Sequence, residues 1–119
     1  MKKTLVIGAS TKQHKYAYKA VCMLLDYGHE VVAIGSKPGQ IRDVKIETSL
    51  LNYDAVDTVT LYINPERQTS YYDYILSLKP KRIIMNPGTE NDYFKNIAIN
   101  NEIEVVEHCT LVMLNIGSF

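Results

Sequence analysis

The sequence predicts an α/β domain: a mostly parallel, five-stranded sheet with helices on both faces. Three observations predict it. Short apolar and β-branched runs recur at 4–7, 31–35, 57–62, 82–85 and 103–106. Between them, apolar residues repeat at three and four positions, the period of an amphipathic helix. Strands alternating with helices in this way build parallel sheets through right-handed crossovers. Together these describe a doubly wound, Rossmann-like fold, for which the strand order 3-2-1-4-5 is expected.

Each element has its own local signals. Leu5, Val6 and Ile7 form a buried strand that stops at Gly8-Ala9-Ser10. Residues 11–15 are polar and loop-like, and Ala17, Ala20, Val21, Leu24 and Leu25 then mark one helix face, with Gly28 as its C-terminal cap. Val31 to Gly35 is the second strand. Ser36-Lys37-Pro38-Gly39 is a turn by composition. Ile41, Val44 and Ile46 suggest a short extended piece, and Ser49 is placed to cap one helical turn over Leu50 to Asn52. Residues 57–62 form strand three. Asn64-Pro65 caps and opens a helix that runs to about Lys79, where Pro80 stops it. Arg82 to Met85 is strand four, broken by Asn86-Pro87-Gly88. Thr89 or Asn91 caps a helix carrying Phe94, Ile97 and Ala98. Ile103 to Val106 is strand five, and Thr110 caps a last apolar turn from Leu111 to Ile116.

At 119 residues the chain is of one-domain size, 1–119, with room for a real core. Formal charge is zero, and the basic runs at Lys2-Lys3 and Lys79 to Arg82 are short enough to read as solvated strand ends. No nucleic-acid or membrane-surface partner is therefore expected. Two cysteines, Cys22 and Cys109, lack any metal-ligand spacing, so neither a disulfide framework nor a zinc site is expected. No leader-like stretch precedes the first strand, and a cytoplasmic setting fits best.

Residues at the strand ends carry the functional signal, because ligands of this fold bind at the carboxyl edge of the sheet. Those ends are Gly8-Ala9-Ser10-Thr11-Lys12, Gly35-Ser36-Lys37-Pro38-Gly39, Ile63-Asn64-Pro65, Asn86-Pro87-Gly88-Thr89 and Glu107 to Thr110. They offer backbone donors, hydroxyls, amides and two lysines, with few carboxylates. That chemistry suits an anionic, nucleotide-like ligand and not a metal. The dinucleotide fingerprint is incomplete, with Ser10 at the place of its second glycine. Ser36-Lys37 replaces the acidic residue that binds an unmodified ribose. A cation there favours a phosphorylated ribose, as in NADP or coenzyme A.

Five stretches extend this reading: Gly8-Ala9-Ser10, residues 27–32, residues 59–65, residues 86–90 and residues 107–114. In order and spacing they resemble the small stand-alone CoA-binding domains, which are similar to the N-terminal domain of the succinyl-CoA synthetase alpha chain. The resemblance covers essentially the whole chain. It implies a five-stranded Rossmann-type domain that binds coenzyme A or an acyl-CoA. Gly8, Ala9, Ser10, Thr11 and Lys12 would meet the phosphates, and Ser36, Lys37 and Pro38 the adenosine and its phosphate. Asn64, Pro65, Asn86, Pro87 and Gly88 would border the pantetheine path. The synthetase's catalytic histidine belongs to a domain this chain lacks, so no catalytic residue is carried over.

Other candidates are weaker. His108 and Cys109 are adjacent on an extended segment and point to opposite sides, so a nucleophile and base pair is not expected; Cys109 reads as a buried thiol near the ligand edge. The tyrosines Tyr16, Tyr18, Tyr71, Tyr72 and Tyr74 read as outer-face packing or subunit contact. The expected role is non-catalytic binding of coenzyme A or acyl-CoA, for sensing, carriage or regulation, with a homodimer or another protein as partner. The alternatives are an NADP-dependent oxidoreductase or subunit, and an interaction module without ligand.

Overall fold

The computed structural model describes all of residues 1–119. Its sheet has seven strands: β1 (Thr4–Ile7), β2 (Val31–Ile34), β3 (Gly39–Ile41), β4 (Val44–Glu47), β5 (Thr58–Leu61), β6 (Arg82–Met85) and β7 (Glu104–Glu107). Their order is β3-β4-β2-β1-β5-β6-β7. All neighbours pair in parallel except β3 with β4.

This corrects the expected five-stranded order 3-2-1-4-5. The segment over Ile41, Val44 and Ile46 is a hairpin of two strands, and β4 runs parallel to β2 with Ala33 opposite Ile46. It occupies the outer place expected for residues 57–62. That segment, β5, lies on the other side of β1, with Leu5 opposite Val59. Counting parallel strands alone, the order is 3-2-1-4-5-6, and the switch point falls between β1 and β5. The hairpin turn, Arg42-Asp43, contains no glycine, and Arg42 takes a left-handed φ of 52°. Its usual sequence signal, Asn-Gly or Asp-Gly, is therefore missing.

The central strands alternate between two apolar layers, one on each face. On one, Val6, Ala33, Ile41, Val44 and Ile46 pack with Ala17, Val21 and Leu24 of α1 (Tyr16–Asp26) and Leu114 of α5 (Thr110–Ile116). On the other, Leu5, Ile7, Val59, Leu61, Ile83 and Met85 pack with Ile75 and Leu78 of α3 (Tyr72–Leu78) and with Phe94 and Ala98 of α4 (Asp92–Asn100). Burying each large side chain contributes about 2–3 kcal/mol.

Helix ends follow local chemistry. Gly28, at φ 84°, closes α1; its N–H bonds to the Leu25 carbonyl while that of His29 reaches Leu24. The Asn64 side chain accepts from the Arg67 N–H to open α2 (Pro65–Gln68), and the Asn91 side chain accepts from Phe94 to open α4.

Four local expectations change. The helix expected from Pro65 to Lys79 is interrupted by a 3-10 turn, Thr69–Tyr71. The break follows Gln68, whose side chain is pulled inward to the carbonyls of Ile63 and Thr89. No helical turn forms over Leu50 to Asn52. Thr110 does not cap α5; Cys109 holds that position, and the Thr110 hydroxyl instead meets Thr60 Oγ1 at 2.9 Å. Arg82 is buried and not a solvated end, donating through Nε to Thr58 with its guanidinium over the Phe119 ring. No helix is long and apolar enough to cross a membrane.

Candidate functional site

Matched registers put the ends of β1, β2, β5, β6 and β7 on one edge of the sheet. A cleft of about 520 Å³ opens there, across the switch point. Two glycines bring its loops together. Gly8 takes a φ of 97°, and a Cβ on it would lie 2.9 Å from the Tyr62 carbonyl oxygen. At Gly35 a Cβ would lie 2.3 Å from the Ala9 carbonyl oxygen. The β1–α1 loop therefore rests against both β2 and β5. Ser10 Oγ accepts from the Lys12 N–H and tightens the loop's first turn.

The cleft has two banks. On the first, Gly8, Ala9, Ser10, Thr11 and Lys12 from the β1–α1 loop face Ser36, Lys37 and Pro38 from the β2–β3 loop. The amino end of α1 joins them through Lys15, Tyr16 and Ala17, with no side-chain cap and no acidic residue in its first turn. Free N–H groups and the helix dipole both favour an anion there. The second bank consists of Ile63, Asn64 and Arg67 beside Pro87, Gly88 and Thr89, with Tyr62 between the banks.

Eleven of the thirteen residues expected from sequence line the cleft: Gly8, Ala9, Ser10, Thr11, Lys12, Ser36, Lys37, Pro38, Asn64, Pro87 and Gly88. Pro65 and Asn86 do not. Pro65 is the first residue of α2. Asn86 is buried, and its side chain is fully engaged: it donates to Thr60 Oγ1 at 2.7 Å and to the Leu61 carbonyl at 2.9 Å, and accepts from the Thr110 N–H at 2.8 Å. It ties β5, β6 and α5 together beneath the site.

Of the other lining residues, Ile63 and Thr89 belong to the strand ends read from sequence but not to the expected ligand contacts, and Lys15, Tyr16, Ala17, Tyr62 and Arg67 were missed. Lys15 and Arg67 shared one legible signal, since both stand where a helix opens after a strand end at this edge.

The lining is electrostatically one-sided. Lys12, Lys15, Lys37 and Arg67 line it and no Asp, Glu, His or Cys does. None of these four cations takes part in an ion pair. The Tyr62 hydroxyl is turned inward and buried with no hydrogen bond of good geometry. Burial pushes it up to about 12, although the Thr110 and Thr60 hydroxyls nearby offset part of that effect.

His108 and Cys109 lie outside the cleft. His108 Nδ1 accepts from the Cys109 backbone N–H at 2.8 Å, which occupies the nitrogen that faces its neighbour. Both cysteines are free and half-buried. Nowhere do three His, Cys, Asp or Glu side chains gather to hold a metal ion.

Comparisons with known proteins agree with this architecture. A crystal structure of an uncharacterized protein is 51% identical; the match covers 100% of this chain and 98% of that one, with a TM-score of 0.98. A protein from Thermus thermophilus, 19% identical, matches over 99% of this chain and 90% of its own with a TM-score of 0.86. The dinucleotide-forming acetyl-coenzyme A synthetase 1 of Ca. Korarchaeum cryptofilum is 17% identical. It matches 87% of this chain and 25% of its own, with a TM-score of 0.73. These last two likenesses show the fold alone. No curated protein matches the sequence. The family described as the CoA binding domain matches residues 2–115, and the chain belongs to that family.

Proposed function

We propose that the chain binds coenzyme A, free or as an acyl thioester, in this cleft, without chemistry of its own, and serves as a sensor, carrier or regulatory subunit. One observation carries the reading: four unpaired cations and no carboxylate line a cleft at the switch point of a CoA-binding-domain chain. The donor set fits the ligand. Coenzyme A brings a pyrophosphate and a ribose phosphate, so its anionic groups fall near one end. In this fold a pyrophosphate sits at the amino end of the first helix and the ribose at the end of the second strand. Lys12, Lys15 and the small residues from Gly8 to Thr11 belong to the first position, and Ser36, Lys37 and Pro38 to the second. The pantetheine arm then crosses the switch point toward Asn64, Pro87 and Gly88, with Pro65 and Asn86 behind them. The lining holds no His, Cys, Asp or Glu, and the Tyr62 hydroxyl is buried.

A thermal-shift titration with coenzyme A, dephospho-CoA, NADP and NAD tests this. A ligand of the folded state adds about 2.7 kcal/mol of stability at a hundred times its Kd. The expected result is a rise of several degrees with coenzyme A and a smaller one with dephospho-CoA. A response to NADP alone would favour an NADP-dependent enzyme or subunit. No response to any nucleotide at millimolar concentration would favour an interaction module.

A further inference from the structure

Tyr16 is the first residue of α1 and is 68% exposed. Nine large apolar side chains are exposed on this protein, and Tyr16 alone among them lines the cleft. Its ring has no aromatic neighbour. The Lys19 ammonium lies over the ring, 5.4 Å from its centroid. Helix α1 packs chiefly over β1, β2 and β3. Tyr16 therefore stands on the first bank, with Lys12, Lys15, Lys37 and Pro38. The second bank presents amides, a hydroxyl, a proline and an arginine, but no aromatic ring.

We infer that Tyr16 is the stacking platform for the aromatic base of the ligand, which makes the first bank a nucleotide-specific subsite. An exposed ring at the edge of a cleft stacks readily on a purine, and the cations around it hold the attached phosphates. The inference rests on the coenzyme A reading and adds to it: affinity is divided, with the adenosine half of the ligand carried by the first bank and the pantetheine arm contributing little there. A tyrosine used only for outer-face packing would touch none of this.

Calorimetric titration of the wild type, Tyr16→Ala and Tyr16→Phe with coenzyme A, adenosine 3′,5′-bisphosphate and 4′-phosphopantetheine tests the assignment. Tyr16→Ala is expected to weaken coenzyme A and the bisphosphate by about tenfold each, the usual scale of one base stack. Tyr16→Phe is expected to restore both, and 4′-phosphopantetheine is expected to bind all three proteins alike. Unchanged coenzyme A affinity in Tyr16→Ala overturns the platform and leaves the ligand reading standing. An equal loss for 4′-phosphopantetheine also overturns it, since Tyr16 would then act on the shared phosphate or the arm. A wild type that binds none of the three overturns the ligand reading, and the platform with it.

Discussion

The two banks of the cleft are built on opposite principles. The first is held by close backbone approach, with Gly8 against Tyr62 and Gly35 against Ala9, and its side chains are left free. Lys12, Lys37 and Tyr16 are exposed there. The second bank is held from below by buried amides. Gln68 bonds to the Ile63 and Thr89 carbonyls and accepts from Asn91, whose amide also reaches the Tyr72 hydroxyl. Asn86 does the same work between β5, β6 and α5. Buried polar groups of this kind stabilise only when every member is satisfied. Mutations on the second bank should therefore register in stability, and mutations on the first in affinity.

Asn86→Ala gives the sharpest break. It strands the Thr110 N–H and removes a donor from both Thr60 and Leu61, at about 1–3 kcal/mol for each buried group left unmade. A loss of about 3 kcal/mol in urea unfolding is expected; a loss well under 1 kcal/mol would mean the network is not holding the bank. Gly35→Ala comes next, because it forces a methyl group onto a carbonyl of the opposing loop. Overpacking of that kind costs about 1–3 kcal/mol. Unlike Asn86→Ala, it should also displace the first-bank loop and weaken ligand binding, so stability and affinity should fall together.

Tyr62→Phe works in the other direction. It removes a buried hydroxyl with no satisfactory partner and should raise stability by about 1 kcal/mol. A loss of that size would show instead that the hydroxyl is productively bonded to Thr60 or Thr110.

The smallest effect lies far from both banks. His29 is held below its ordinary value of 6.5, first by burial and then by the positive charges of the amino terminus, Lys2 and Arg82. Its Nδ1 accepts from the Lys2 N–H, which a proton would prevent. The unfolded chain therefore takes up a proton that the folded chain resists. The stability due to this group is complete above about pH 6.5 and is lost as pH falls from there through the lowered folded value. Melting curves between about pH 8 and 5 should show a small acid-side decline that is absent in His29→Gln.

How far the sequence spoke differs between the banks for a physical reason. First-bank residues are consecutive and sit where strand meets turn, so Gly8 to Lys12 and Ser36 to Pro38 were legible as a unit. Second-bank residues are set by contacts between distant segments. Asn86 follows a strand just as Asn64 does, yet one faces inward to Thr60 and the other lines the cleft. Gln68, which interrupts the helix after β5, looked like any polar helical residue. The sheet order went astray over one short hairpin. Its turn lacks the usual residues, and β4 contributes only Val44 and Ile46 to the apolar layer. Once those residues count as a strand, β5 must move across β1, where it becomes the neighbour of β1 at the switch point.

The most direct test of the central claim pairs one side chain with one phosphate. Titrate coenzyme A and dephospho-CoA into the wild type and Lys37→Ala. If Lys37 meets the ribose phosphate, removing either partner should weaken binding by about tenfold, the scale of one charge-assisted contact. Removing both should cost little more than removing one, and the melting temperature of Lys37→Ala without ligand should match the wild type. If the two losses multiply instead, Lys37 and the phosphate act independently, and the assignment of the first bank to the phosphorylated ribose is wrong.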